Sequence, residues 1–191
     1  DDAQSRDKAS LQGVPMKEPC TYTWTDADAL VLSPGVPLTH PTPHPVVDLA
    51  RAAGCSIVGD IELLVEARPR ATFVAVTGTN GKSTTTSLIG HVLANSGREL
   101  QVGGNLGPPV LSLASLSQGG IYVLELSSYQ LDLCDRARFD IGVLLNISPD
   151  HLDRHGGMDE YVAAKRRQFR DRPEGSQIAV VGIDDEHGQS L

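Results

Sequence analysis

A chain of 191 residues with 40% hydrophobic content can bury one sizeable core or two small ones. Its 16 basic against 24 acidic residues leave a formal charge of −8, which argues against a surface built to track a nucleic-acid backbone. The three cysteines, Cys20, Cys55 and Cys134, are far apart and odd in number, so they spell neither a disulfide framework nor a metal site and point to a reducing cytoplasm. No apolar run approaches the ~18 residues of a membrane span, and no segment here reads as a signal peptide, so none is expected.

The chain opens on Asp1-Asp2-Ala3-Gln4 without an initiator methionine and stops at Leu191 soon after an apolar run. Both ends are therefore expected to be cut from something longer. Ala29 to Ser33 predicts a buried strand ended by Ser33-Pro34-Gly35. The segment from Pro37 to Pro45 carries four prolines and two histidines and reads as a rigid loop. His40 and His44 within it are structural rather than ligands. Val46–Ala53 predicts a helix closed by Gly54, Ser56-Ile57-Val58 a short strand, and 61–67 a second helix. Arg68-Pro69-Arg70 reads as a linker, dividing the chain into residues 1–70 and 71–191.

Beyond the linker, strands and helices alternate. Strands are expected at Thr72–Thr77, near Leu100–Val102, and at Tyr122–Leu126, Ile141–Leu145 and Gln177–Val181. Helices are expected at Lys82–Ser96, Pro108–Leu116 and Asp159–Arg170, with a helical turn after Tyr129. The strands are unbroken apolar runs, which implies burial on both faces and a parallel sheet with helical crossovers. The fold class is α/β: a Rossmann-like N-terminal portion, then a P-loop-type parallel-sheet ATPase domain flanked by helices. In such sheets ligands bind beyond the carboxyl ends of the strands. The loops there hold 78–83, 103–105, 125–128 and 146–153.

Val74-Ala75-Val76-Thr77-Gly78-Thr79-Asn80-Gly81-Lys82-Ser83-Thr84 is the most informative stretch. An apolar run stops at a glycine turn, and Lys-Ser-Thr then opens a helix. Such a turn cradles phosphate with backbone N–H groups and the helix N-terminus. Lys82 reaches terminal phosphates, and the hydroxyl of Ser83 or Thr84 can meet a magnesium ion. The common phosphate loop has a glycine five residues before Gly81, where this chain has Val76, so the loop is a shortened form.

Glu125 stands at the end of the apolar run Ile121-Tyr122-Val123-Leu124. A carboxylate there costs several kcal/mol unless paired or metal-bound. Magnesium beside a triphosphate would be such a partner; an edge-strand glutamate facing water is the alternative. Asp150-His151-Leu152-Asp153-Arg154-His155 falls on the same ligand edge and could be a metal site, a general base or a solvated loop, with His151 the leading candidate. Tyr161, Lys165 and Phe169 repeat at i, i+4 and i+8, so Lys165 lies on the apolar face of its helix. It either snorkels to water or sits desolvated with a lowered pKa, in which case its neutral amine could take up carbon dioxide as a carbamate. No Gly-x-Ser-x-Gly elbow surrounds Ser127 and Ser128, which suits hydrogen bonding to substrate better than covalent catalysis.

These segments resemble, in order, the Mur ligases of peptidoglycan synthesis. The resemblance is carried by 78–84, Gly104-Asn105-Leu106-Gly107, Glu125-Leu126-Ser127-Ser128-Tyr129-Gln130-Leu131, 146–155 and Tyr161-Val162-Ala163-Ala164-Lys165, with Ser33-Pro34-Gly35 and Val58-Gly59-Asp60-Ile61-Glu62-Leu63 upstream. The 125–131 segment is most similar to members that add D-glutamate. The resemblance implies a cytoplasmic, monomeric ATP-dependent acid–amino-acid ligase joining D-glutamate to UDP-N-acetylmuramoyl-L-alanine through an acyl phosphate. It places ATP on Gly78, Thr79, Asn80, Gly81, Lys82, Ser83 and Thr84. Ser83 or Thr84 with Glu125 would hold one Mg2+, and His151 with carbamylated Lys165 a second. Ser33, Gly35, Asn105, Ser127 and Gln130 would contact the acid substrate, and Lys82, His151 and Lys165 would be the catalytic set. Residues 1–70 would be part of the UDP-substrate domain and 71–191 part of the ATP-binding domain. A folate polyglutamate synthase-like ligase, or a non-catalytic nucleotide-binding fragment, is the alternative.

Overall fold

The computed structural model describes residues 3–170 and 175–191. Helix α1 (Ala3–Leu11), which the sequence pattern does not announce, precedes two single turns of 3-10 helix. Strand β1 (Ala29–Val31), helix α2 (Pro45–Ala52), strand β2 (Ser56–Val58) and helix α3 (Asp60–Ala67) follow. β1 and β2 pair in parallel as a two-stranded sheet. α2 is launched by Pro45 in its first turn and by His44, whose ring accepts from the Val46 N–H at 3.2 Å. His44 is thus a cap, as its expected structural role required.

The larger sheet contains β3 (Thr72–Thr77), β4 (Leu100–Gly104), β5 (Ile121–Glu125), β6 (Ile141–Leu144) and β7 (Ile178–Val181), ordered β4-β5-β3-β6-β7 and parallel throughout. Helix α4 (Lys82–Asn95) crosses over from β3 to β4. The other helices are α5 (Ser128–Asp132), α6 (Leu152–His155), α7 (Met158–Arg166) and α8 (Glu186–Gln189). Both faces of β3, β5 and β6 are covered, as their unbroken apolar runs require, whereas the apolar edge strand β7 is largely exposed. Val74, Val76, Ile121 and Val123 face α4, where Ile89 and Leu93 pack on them. The alternate residues Phe73, Ala75, Tyr122 and Leu124 face Ile61 and Leu64 of α3. α3 therefore shares a core with the second half of the chain.

A buried carboxylate reinforces that contact. Glu62, 1% exposed, accepts from the backbone N–H groups of Asp135, Arg136 and Ala137 at 3.0, 2.6 and 3.1 Å. The Arg136 guanidinium adds contacts to Glu62 and Glu66 at 3.5 and 2.6 Å.

Two helices differ from expectation. The one expected over Pro108–Leu116 is only a 3-10 turn at Val110–Ser112. The residue before a proline is pushed out of helical geometry, which bars Pro108 from a helix, while Pro109, at ψ 140, stays outside the turn as its N-cap and Leu113, at ψ 140, closes it. The helix expected over Asp159–Arg170 ends at Arg166, and residues 167–169 tighten into i→i−3 bonds to Ala164, Lys165 and Arg166. That tightening carries Phe169 to the sheet, where it fills the space beside Gly142.

Candidate active site

β3 is the central strand, and the chain places later strands on both sides of it, so its carboxyl end is the switch point where ligands bind. The phosphate-loop turn sits there. Gly78 and Gly81 adopt φ of 155° and 82°; Gly81 is left-handed and caps α4. The loop is held from β6's trailing segment. Thr79 N–H donates to Asn146 O at 2.9 Å, Asn80 N–H donates to Asn146 Oδ1 at 2.9 Å, and Asn146 Nδ2 returns a bond to Asn80 O at 3.2 Å. Thr79 Oγ1 also meets Ser148 O and N and the Tyr161 hydroxyl at 3.1, 3.0 and 3.0 Å.

Two lysines converge on this loop. Lys82 Nζ donates to Gly78 O at 3.1 Å and to Thr79 O at 2.8 Å. Lys165 Nζ reaches the same Gly78 O from α7, at 2.9 Å, and Thr77 Oγ1 at 3.5 Å. Lys165 is 2% exposed and its Nζ lies 4.6 Å from the centre of the Tyr161 ring. It does not snorkel; the desolvated alternative is the one realised. Burial first, then the neighbouring Lys82 charge, lowers its pKa to about 7, with Asp150 opposing.

Glu125 ends β5 at 2% exposure, so it is not an edge glutamate facing water. Asn105 Nδ2 donates to its Oε1 at 2.8 Å, whereas Oε2 is buried without a partner. Asn105 N–H also donates to Glu125 O at 2.8 Å, and this close approach needs Gly104, whose added Cβ would lie 2.2 Å from Glu125 O.

A cleft of about 450 Å³ opens above these groups. Its lining brings together Gly35, Lys82, Asn105, Ser127, Gln130, His151 and Lys165 from the sequence-derived set. Ser33 is exposed beyond the end of β1, and Ser83 and Thr84 are exposed in the first turn of α4; these stay outside the lining, as do Gly78, Thr79, Asn80, Gly81 and the buried Glu125. Ser127 and Gln130 form the capping box that starts α5: Gln130 Oε1 accepts from Ser127 N–H at 3.1 Å and Ser127 Oγ accepts from Gln130 N–H at 3.2 Å. Their geometry is thus locked, which leaves the Gln130 amide NH2 to donate into the cleft.

His151 is the one described non-glycine residue at positive φ, 52°. Its ring is exposed, lies 3.4 Å from Asp150 Oδ2 and tilts against Tyr129 at 5.1 Å. His155 is buried, bonded to Ser128 Oγ at 2.9 Å and set between the rings of Tyr129 and Tyr161. Burial lowers its pKa, with Asp132 opposing and the Arg154 charge adding to the lowering.

Asp60 and Tyr129, which lay in the motif segments without a role of their own, also line the cleft, as do Ser128, Asp150 and Tyr161, and Asn146 grips the loop beneath it. Asn146 and Tyr161 stood inside the motif segments, but only the fold shows which atoms they hold. Among the described residues, no three His, Cys, Asp or Glu side chains group closely enough to form a metal cage. Magnesium does not need one: it binds through one or two carboxylates and completes its shell with phosphate oxygens and water. The bare Glu125 Oε2 fits that requirement.

A parallel α/β sheet with a glycine phosphate turn at its carboxyl edge defines the class of nucleotide-loop proteins. A family model described as Mur ligase middle domain matches residues 76–191, and the chain belongs to that family. Among curated proteins, the UDP-N-acetylmuramoylalanine–D-glutamate ligase of Phenylobacterium zucineum is 53% identical over 197 residues, covering 100% of this chain and 42% of that protein. The chain thus spans about two fifths of the length of the curated relatives it matches. Among solved structures, UDP-N-acetylmuramate:L-alanyl-gamma-D-glutamyl-meso-diaminopimelate ligase from Neisseria meningitides superposes at TM-score 0.61 and 18% identity, covering 100% of this chain and 63% of that one. MurF ligase from Thermotoga maritima in complex with ADP superposes at 0.53 and 22%, covering 89% and 49%. At those identities the structures share the fold. No helix among the described residues is long and apolar enough to cross a membrane.

Proposed function

We propose that this chain is the substrate-loop and ATP-binding part of a ligase that joins D-glutamate to UDP-N-acetylmuramoyl-L-alanine in peptidoglycan synthesis. One observation carries the reading: Lys82 of the phosphate loop and Lys165 of α7, 83 residues apart in sequence (165 − 82), meet on the same carbonyl, Gly78 O. Phosphate binding and the group at residue 165 therefore belong to a single pocket. The 53% identity with a curated ligase of that activity supports the substrate pair.

In this reading residues 1–70 serve the UDP end of the acid substrate through Ser33 and Gly35, and residues 71–191 bind ATP. The 78–84 loop wraps the phosphates with its N–H groups. Lys82 leaves its own loop carbonyls for the phosphate oxygens, where a full anionic charge rewards it more than a neutral carbonyl. Asn105, Ser127 and Gln130 hold the muramoyl-alanine part. Ser83 or Thr84 with Glu125 would hold one magnesium ion, and His151 with Lys165 a second. Magnesium bound there supplies charge neutralisation that lets a carboxylate approach the γ-phosphate.

Lys165 is suited to modification. With its pKa near 7, a large fraction is the neutral amine at physiological pH. The amine nitrogen adds to the carbon of carbon dioxide and releases one proton, giving a carbamate anion. That exchange replaces a buried neutral amine with an anionic oxygen ligand. The acid's carboxylate oxygen would take the γ-phosphoryl group, and the D-glutamate amine would then displace phosphate, forming the amide. The rigid capping box and the Asn105–Glu125 pair keep the reacting carboxylate in line, which is where the rate gain from positioning arises.

The test is phosphate release by the full-length protein. It should require ATP, UDP-N-acetylmuramoyl-L-alanine and D-glutamate together. Release that proceeds without either acid, or that a folate substrate drives instead, would refute the assignment.

A further inference from the structure

We propose that Arg154 is an oxyanion receptor for the acid substrate, set where the Ser33–Val36 loop meets α6; this rests on the ligase reading above. Arg154 is 7% exposed, yet the described ion pairs give it no carboxylate. Its Nη2 donates to Val36 O at 3.3 Å, a long bond, and its guanidinium lies over the Tyr129 ring at 5.0 Å. Its Nε and Nη1 are buried with no partner. A guanidinium cannot shed its proton, so this cation persists in the interior with two unmet donors. Such a group is costly unless something answers it.

The surroundings indicate what would answer it. Pro34 and Gly35, next to Val36, line the cleft, and so does Tyr129. The two elements that hold Arg154 are therefore the same two that wall the cleft beside it. Both planar edges of a guanidinium include Nη2, so letting go of the Val36 carbonyl frees either edge for two-pronged capture of a carboxylate or phosphate. The contacts of Arg154 run to the Ser33–Val36 loop and Tyr129, not to the 78–84 loop, which selects the acid substrate over the nucleotide. That substrate offers two oxyanions, its diphosphate and its carboxylate.

Calorimetric titration of the protein with UDP, with N-acetylmuramoyl-L-alanine and with ADP separates these sources. Arg154→Met should weaken binding of one of the first two by about 10- to 100-fold, the range for losing a charge-assisted bond, and leave ADP within about twofold. Arg154→Lys, which keeps the charge but not the planar edge, should recover only part of the loss. A folded Arg154→Met protein that binds both halves as tightly as the parent would overturn the proposal. Should the variant not fold, the unsubstituted protein decides: the Arg154 Nε–H proton resonance should move on adding UDP or N-acetylmuramoyl-L-alanine, and no movement at saturation overturns it. If the unsubstituted protein binds ADP and neither half, the ligase reading itself fails and the receptor with it.

Discussion

Replacing Lys165 with Met tests the buried amine directly. Methionine keeps most of the length and fills the space beside Tyr161, while removing the titrating group. With the pKa lowered from 10.5 to about 7, folding must strip a proton that the unfolded chain keeps. The unfolded state therefore binds more protons between pH 7 and 10.5, so stability rises with pH across that window. Below pH 7 the penalty is fully present, at about 5 kcal/mol by linkage, and at pH 9 about 2 kcal/mol of it remains. The parent protein should thus gain about 2 kcal/mol relative to Lys165→Met between pH 7 and pH 9. Other titrating groups cancel in this difference. At pH 6 the variant should be the more stable protein, offset in part by the lost bond to Gly78 O. Urea unfolding of both proteins at pH 6, 7, 8 and 9, in buffer freed of carbon dioxide, measures it. Parallel stability profiles would show that residue 165 keeps an ordinary lysine pKa, and the reasoning would fail. Admitting bicarbonate should stabilise the parent alone.

Four further outcomes are expected. Lys165→Ala should abolish ligation, with partial rescue by short carboxylic acids, measured as phosphate release. Glu125→Gln keeps a carbonyl for Asn105 but removes the unpartnered anionic oxygen, so melting temperature should hold or rise while magnesium-dependent turnover falls by about 100-fold. Glu62→Gln turns an acceptor of backbone N–H bonds into a donor facing donors, and urea denaturation should show a loss of about 3 kcal/mol. Gly104→Ala drives a Cβ toward Glu125 O at a φ of 107°, so it should cost about 3 kcal/mol and displace Asn105, read by the same denaturation and by weakened substrate binding.

Much of this protein is legible along the chain because its signals are local. Unbroken apolar runs announced parallel strands, and β3 through β7 are all parallel. Gly78 and Gly81 announced the tight turn between β3 and α4, since only glycine takes such backbone angles cheaply. The overreach at Pro108–Leu116 and past Arg166 came from treating helix periodicity as if it propagated through prolines and onto a sheet.

Residue order and composition determined the α/β class, the glycine turn that opens α4 and the edge on which the polar residues collect, because backbone preference and hydrophobic period act over a few neighbours. Only the tertiary structure decided the state of the charged groups. Lys165 could have reached water along its helix, and Glu125 could have faced it from a sheet edge; packing by α7, Tyr161 and Asn105 enclosed both. Asn146 became the brace of the phosphate loop, and Arg154 came to lie under the Ser33–Val36 loop. Desolvation depends on what arrives from distant parts of the chain, and no local pattern encodes that.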